Sequence, residues 1–135
     1  MRSLRIAASL LFLAGLCALT AAPAAAQDPA KVAPEAYKCT FENERVRVCE
    51  VTAKPGAKIP THSHPDHFAY VISPGKMRIT KADGTATEAD FTPGAVIWIP
   101  AETHRGENIG ATEIKVVVVE LKEPAPAKAG AHAHH

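Results

Sequence analysis

The sequence predicts an all-β domain of short antiparallel strands closed into a sandwich or barrel, and three observations carry that expectation. Turn signals recur along the body: "KPG" at 54, "SPG" at 73, "ADG" at 82, "TPG" at 92 and "NIG" at 108. Between them lie "RVRVCEV", "FAYVIS", "KMRITK", "AVIWI" and "EIKVVVVEL", which alternate in polarity or are rich in β-branched residues. No stretch after residue 36 has the apolar period of an amphipathic helix.

The first element is a leader. "MRSLR" is a short basic start, "IAASLLFLAGLCALTAA" an apolar run, and "AAA" before Gln27 supplies small residues at a cleavage point. This layout predicts a signal peptide over 1–26, cleaved after Ala26, and hence an exported, periplasmic or secreted protein. Lipidation of Cys17 would need a small residue just before it, and Leu16 stands there, so no stable membrane anchor is expected. The 109 residues that remain of 135 suffice for one domain with one core. With Arg2 and Arg5 gone, Lys plus Arg falls from 15 to 13 against 14 acids, a balance that attracts neither nucleic acid nor an anionic membrane.

Residues 27–36 are rich in Pro and Ala and read as a flexible linker ahead of a body spanning 37–122. "YKCTFENERVRVCEV" reads as two extended segments around a turn at "ENE", with Cys39 and Cys49 symmetric about Glu44. In a hairpin the two would face each other at bridging distance; otherwise they are two small buried apolar residues. "ADG" marks a second hairpin, since Asp-Gly tolerates the positive backbone angles of a tight turn. The apolar runs "AVIWI" and "KVVVV" read as strands covered on both faces, and "KVVVVEL" as a sheet edge through which a homodimer can pair. The tail 123–135 reads as flexible, and its His132, His134 and His135 can take up metal from solution.

"THSHPDHFAYVISPGK" concentrates the chemistry. His62 and His64, two apart on a strand, share a face with roots about 7 Å apart, a spacing that lets two imidazoles close on one ion. "GAKIPTHSH" fits the pattern G-x5-H-x-H, with Gly56, His62 and His64 in place and Gly75 closing it, and "GAVIWIPAETHRGEN" supplies Gly94, Pro100, His104 and Asn108. Over residues 44–121 the chain resembles the cupins, in the form of a small single-domain member.

The resemblance implies a cupin-type β-barrel, a double-sheet jelly roll, with a divalent metal held by His62, His64 and His104. The sequence departs from the family pattern where a glutamate ligand commonly follows the second histidine, because those positions are Phe68 and Ala69. It also has Glu102 where glycine is expected, and His104 one residue closer to Pro100. His67 is the candidate to replace the glutamate. Regular alternation would put Phe68, Tyr70 and Ile72 inside and send His67, Ala69 and Val71 outward, unless a bulge at Pro65 and Asp66 turns His67 in. Asp66 is either a turn residue or a hydrogen-bond partner of a ligand imidazole, and Glu102 a rim charge, a ligand or a base.

A histidine site suits Fe, Zn, Ni, Cu or Mn better than magnesium or calcium, which prefer oxygen shells. Phe68, Tyr70, Met77, Ile97 and Trp98 are the large side chains expected to fill the barrel, with the polar tips of Tyr70 and Trp98 available to orient a small molecule. Arg47 and Arg105 are either rim cations for an anionic ligand or solvated charges. A catalyst of this form would be a metal-dependent oxygenase or isomerase. The alternative is a non-catalytic binder of a small ligand or a metal carrier, with or without a bound ion.

Overall fold

Alternation of inward and outward side chains builds nine strands into two facing sheets in the computed structural model, which describes residues 27–123. In chain order they are β1 (Tyr37–Glu42), β2 (Val46–Ala53), β3 (Lys58–His64), β4 (His67–Val71), β5 (Gly75–Lys81), β6 (Ala86–Phe91), β7 (Val96–Ile99), β8 (Glu102–Asn108) and β9 (Ile114–Leu121). One sheet has the order β1-β2-β9-β4-β7 and the other β3-β8-β5-β6, every pairing antiparallel. The expected double-sheet β-barrel is the observed architecture. The leader, its cleavage point and the histidine tail lie outside the described residues.

Two turns form for local reasons. Asn43 Oδ1 accepts from the backbone N–H groups of Arg45 and Val46 at 2.8 and 2.9 Å, which closes the β1–β2 hairpin with its own side chain. That register sets Cys39 opposite Cys49, and a disulfide joins them. At the "ADG" turn, Gly84 adopts φ 88° and its N–H donates to the Lys81 carbonyl, linking β5 to β6.

The core lies between the sheets and consists mainly of small and β-branched residues: Val51, Ala53, Ala69, Val71, Val116 and Val118, with Ile59, Met77 and Ile114. Gly75 is required where β5 passes Ile114, since a Cβ there would stand 2.1 Å from the isoleucine's Cγ1.

Three expectations are corrected. β9 is not an edge: it runs through the middle of the five-stranded sheet between β2 and β4, so "KVVVVEL" has no free backbone to offer a second chain. Nor are the two apolar runs covered on both faces. In β9 Ile114, Val116 and Val118 are buried while Val117 and Val119 are half-buried on the outer side, and in β7 Val96 and Trp98 are exposed. Residues 27–36 are not a free linker. Asp28 caps a helical turn over Pro29–Val32, its Oδ1 accepting from the Ala30 N–H, and Pro29 and Ala33 are buried. The Gln27 carbonyl accepts from the Ser63 N–H, docking the segment on β3.

The disulfide closes a short loop, its partners ten positions apart in sequence. Replacing both cysteines by alanine should cost about 2–3 kcal/mol in urea unfolding, the entropy regained by the open chain.

Candidate metal centre

The site begins with an irregularity in β3. Ile59 pairs with Gly106 and His62 with His104, so β3 spends one more residue than β8 between the same two points. This bulge, at Pro60 and Thr61, changes the phase of alternation and lets Ile59, His62 and His64 all point inward. Proline is tolerated there because a bulge releases its neighbours from the ladder. The freed Pro60 carbonyl accepts from Nδ1 of His62 at 2.6 Å.

The pairing of β3 with β8 then sets His62 directly opposite His104, ring centroids 4.7 Å apart, with His64 at 4.7 Å from His62 and 5.4 Å from His104. One ring nitrogen from each of the three lies within 4.8 Å of the others, and all three side chains are buried. These are the residues that the sequence pointed to.

Each imidazole is held by its Nδ1. His62 donates to the Pro60 carbonyl, His64 to Glu120 Oε1 at 2.6 Å, and His104 to Glu102 Oε1 at 2.6 Å. With every Nδ1 carrying the proton, the lone pairs sit on Nε2, the arrangement that metal-binding imidazoles require. A four-coordinate ion with bonds of about 2.0–2.1 Å separates its donor atoms by about 3.4 Å, so the 4.8 Å span closes with small side-chain adjustments. The donor set therefore fits a divalent transition metal.

Glu120 was not singled out from sequence. It projects from β9, 3% exposed, and accepts from both His64 and Arg47 Nε, the latter at 2.6 Å. Arg47 in turn places Nη1 3.0 Å from each carboxylate oxygen of Asp28. The only hint in the sequence was period-two alternation: Glu120 has the same parity as the inward Val116 and Val118. Arg47 is thus not a rim cation for a ligand but is engaged by two carboxylates. Arg105 is exposed and has no ion-pair partner among the described residues.

Glu102 orients His104, and its other oxygen lies 3.5 Å from Lys81 Nζ. Asp66 does not reach an imidazole. Its Oδ1 accepts from the Ala101 N–H at 2.7 Å, bracing the loop before β8 against the start of β4. Asn108, the last motif residue, is also structural: its buried amide donates to the carbonyls of Ala53 and Thr112.

β4 reverses the expected faces. His67, Ala69 and Val71 point inward, while Phe68 is half-buried and Tyr70 and Ile72 are exposed. Pairing with β9 decides this, since Ala69 lies opposite the buried Val118 and His67 opposite the buried Glu120. Phe68 and Trp98 instead form a cross-strand pair on the outer side, with Tyr70 beside Val96. Phe68, Tyr70 and Trp98 are therefore not pocket residues. Met77 is, and Ile97 packs half-buried against the core. His67 sits against His64 with ring centroids 4.4 Å apart and donates Nδ1 to the Pro65 carbonyl, but it stays outside the set of three mutually close nitrogens.

The sequence also passed over Tyr37. Its ring is buried, and its hydroxyl lies 3.2 Å from Nε2 of His62 and 3.5 Å from Nε2 of His64. Below these polar groups opens a cavity of about 70 Å³, walled by Ile59, Met77, Phe91, Ile114 and Val116 among others. That is room for about two waters at the ~30 Å³ each occupies in the liquid.

Burial dominates the electrostatics. It brings the His62 imidazole down to about 4, helped by repulsion from His104 and His64 and opposed by the Pro60 carbonyl. His67 and His104 are lowered for the same first reason. Burial would raise Glu120, but hydrogen bonds from His64 and Arg47, with Arg47's charge, outweigh it and hold the carboxyl at about 2. Burial, then the charge of Glu120, push the Tyr37 phenol well above its ordinary range.

These directions make the metal-free protein acid-sensitive. An unfolded chain takes up a proton on His62 as pH falls from 6.5 towards 4 while the folded site refuses it, so stability present above 6.5 is lost across that window. Glu120 repeats the effect between 4.5 and 2. Urea midpoints measured with chelator present should fall steadily through both ranges.

A cupin-domain family model matches residues 49–120, a span that contains all three clustered histidines and Glu120. Among solved structures, a cupin domain from Bordetella pertussis Tohama I is 26% identical with a TM-score of 0.60, covering 64% of this chain and 92% of its own. A double-stranded β-helix protein from Klebsiella pneumoniae is 25% identical with a TM-score of 0.53, covering 66% of this chain and 74% of its own. An RmlC-like cupin from Methanocaldococcus jannaschii shares the fold at 19% identity and a TM-score of 0.54, covering 65% and 80%. No curated protein matches the sequence. Two facing sheets, the paired histidine motifs and the family match lead to one conclusion: the chain belongs to the cupin family.

Proposed function

We propose that this cupin binds one divalent transition metal, Fe, Zn, Ni, Cu or Mn, through Nε2 of His62, His64 and His104, and takes a small molecule into the apolar cavity beside it. One observation carries the reading: three buried imidazoles from two strands converge with every Nδ1 already committed as a donor. His67 stands next to this set as a further nitrogen donor. The leader adds export as the setting, the mature chain starting at Gln27. A homodimer would meet across the outer side of the five-stranded sheet, where Val96, Trp98, Tyr70 and Phe41 are exposed.

When bound, the ion supplies Lewis acidity and, for iron, copper or manganese, redox chemistry that suits an oxygenase or isomerase. The chain's own residues contribute orientation and exclusion of water. Glu120 and Glu102 hold two imidazoles in the ligating tautomer, and mostly apolar side chains wall the cavity beside them.

A non-catalytic binder or metal carrier is the second reading, and one observation favours it. The two carboxylates near the site, buried Glu120 and half-buried Glu102, are both spent on imidazoles and cations, so neither is free to move a substrate proton. Oxygen uptake or turnover by metal-loaded protein with small apolar substrates separates the two.

The full chain with His132, His134 and His135 replaced by alanine should retain close to one metal ion per molecule after dialysis. His62→Ala or His104→Ala should abolish that retention while leaving a folded β spectrum, and an empty parent protein would refute the metal reading. Glu120→Gln keeps the shape of the side chain but removes its charge; metal affinity measured by competition should fall about 10–100-fold.

A further inference from the structure

We propose that the phenol oxygen of Tyr37 is itself a ligand of the ion, filling the position left open by the missing glutamate; this rests on the three-histidine reading above. The distances carry it. The oxygen lies 3.2 Å from Nε2 of His62 and 3.5 Å from Nε2 of His64, and neighbouring donors around a four-coordinate ion with bonds of about 2.0–2.1 Å stand about 3.4 Å apart. The phenol is thus at coordination-edge distance from two ligand atoms.

Counting protons points the same way. Nδ1 of His62 and of His64 each carries one, so in the neutral rings both Nε2 atoms present lone pairs, and both face a hydroxyl with a single proton to give. Within the protein alone one imidazole lone pair stays unmet. A cation placed among the three atoms satisfies two nitrogen lone pairs and one oxygen lone pair together. Tyr37 has no competing task, since its hydroxyl has no other hydrogen-bond partner among the described residues and its ring is 8% exposed.

The step is simple to balance. A metal–oxygen bond forms, the O–H bond breaks, the proton passes to bulk water, and the ion keeps its oxidation state.

Ferric iron reports phenolate ligation directly, through an intense visible charge-transfer band and tyrosinate ring modes in resonance Raman spectra. The test uses the full chain carrying His132→Ala, His134→Ala and His135→Ala, loaded with ferric iron, beside the same chain with Tyr37→Phe and with His67→Ala. The parent and the His67→Ala protein should be coloured, and the Tyr37→Phe protein should hold iron without the band. One ferric ion per parent chain with no phenolate band overturns the proposal and leaves the histidine site standing, as does a band that survives in Tyr37→Phe. A parent chain that binds no iron, manganese, zinc, nickel or copper overturns the histidine reading and this proposal with it.

Discussion

The bulge at Pro60 and Thr61 is the constraint from which the site follows. Without its extra residue, Ile59 and His62 would lie on opposite faces of β3, and a strand that buried Ile59 in the core would turn both motif histidines to solvent. With it, the same strand supplies a core residue at one end and two imidazoles at the other. It also frees the Pro60 carbonyl to receive His62 Nδ1, so the device that aims the side chain also fixes its tautomer.

A second constraint is electrostatic. Four buried imidazoles, a buried carboxylate and a guanidinium share one end of the barrel, an arrangement that costs desolvation and holds only when each charge is met. Asp28, Arg47, Glu120 and His64 meet it as a chain of alternating partners running from the N-terminal helical turn to the imidazole. Residues 27–33 are therefore part of the site's support rather than a lead-in. The Gln27 backbone bond to β3, the burial of Pro29 and Ala33, and the charge pair with Arg47 are what order them.

Much of this was legible in the sequence, and the parts that were not share a cause. Turn residues and alternation revealed the strands, and the motif spacing revealed His62, His64 and His104. Facing was harder. On β4, residue size suggested that Phe68 and Tyr70 filled the barrel, but pairing sets Ala69 opposite the buried Val118 and His67 opposite the buried Glu120, so those positions face in and the aromatic side chains turn outward. Inwardness there is decided by the neighbours β9 and β7, which no local pattern encodes. Glu120 was obscure for a related reason: a carboxylate in a strand reads as a surface charge until its cross-sheet partner, here His64, is known. Tyr37 could be found only from coordinates, since nothing in "AYKCT" links it to residues 25 and 27 positions away.

The cystine between β1 and β2 acquires a wider meaning from where it sits. β1 is an outermost strand, paired on one side only, and it carries the phenol that closes over the imidazoles. Such a strand peels readily when ladder bonds alone retain it. The covalent tie two residues from Tyr37 staples that margin down. Thiol oxidation in the surroundings thereby becomes a condition for keeping Tyr37 in place over the imidazoles, a link between redox environment and the closure of that end of the barrel written into one hairpin.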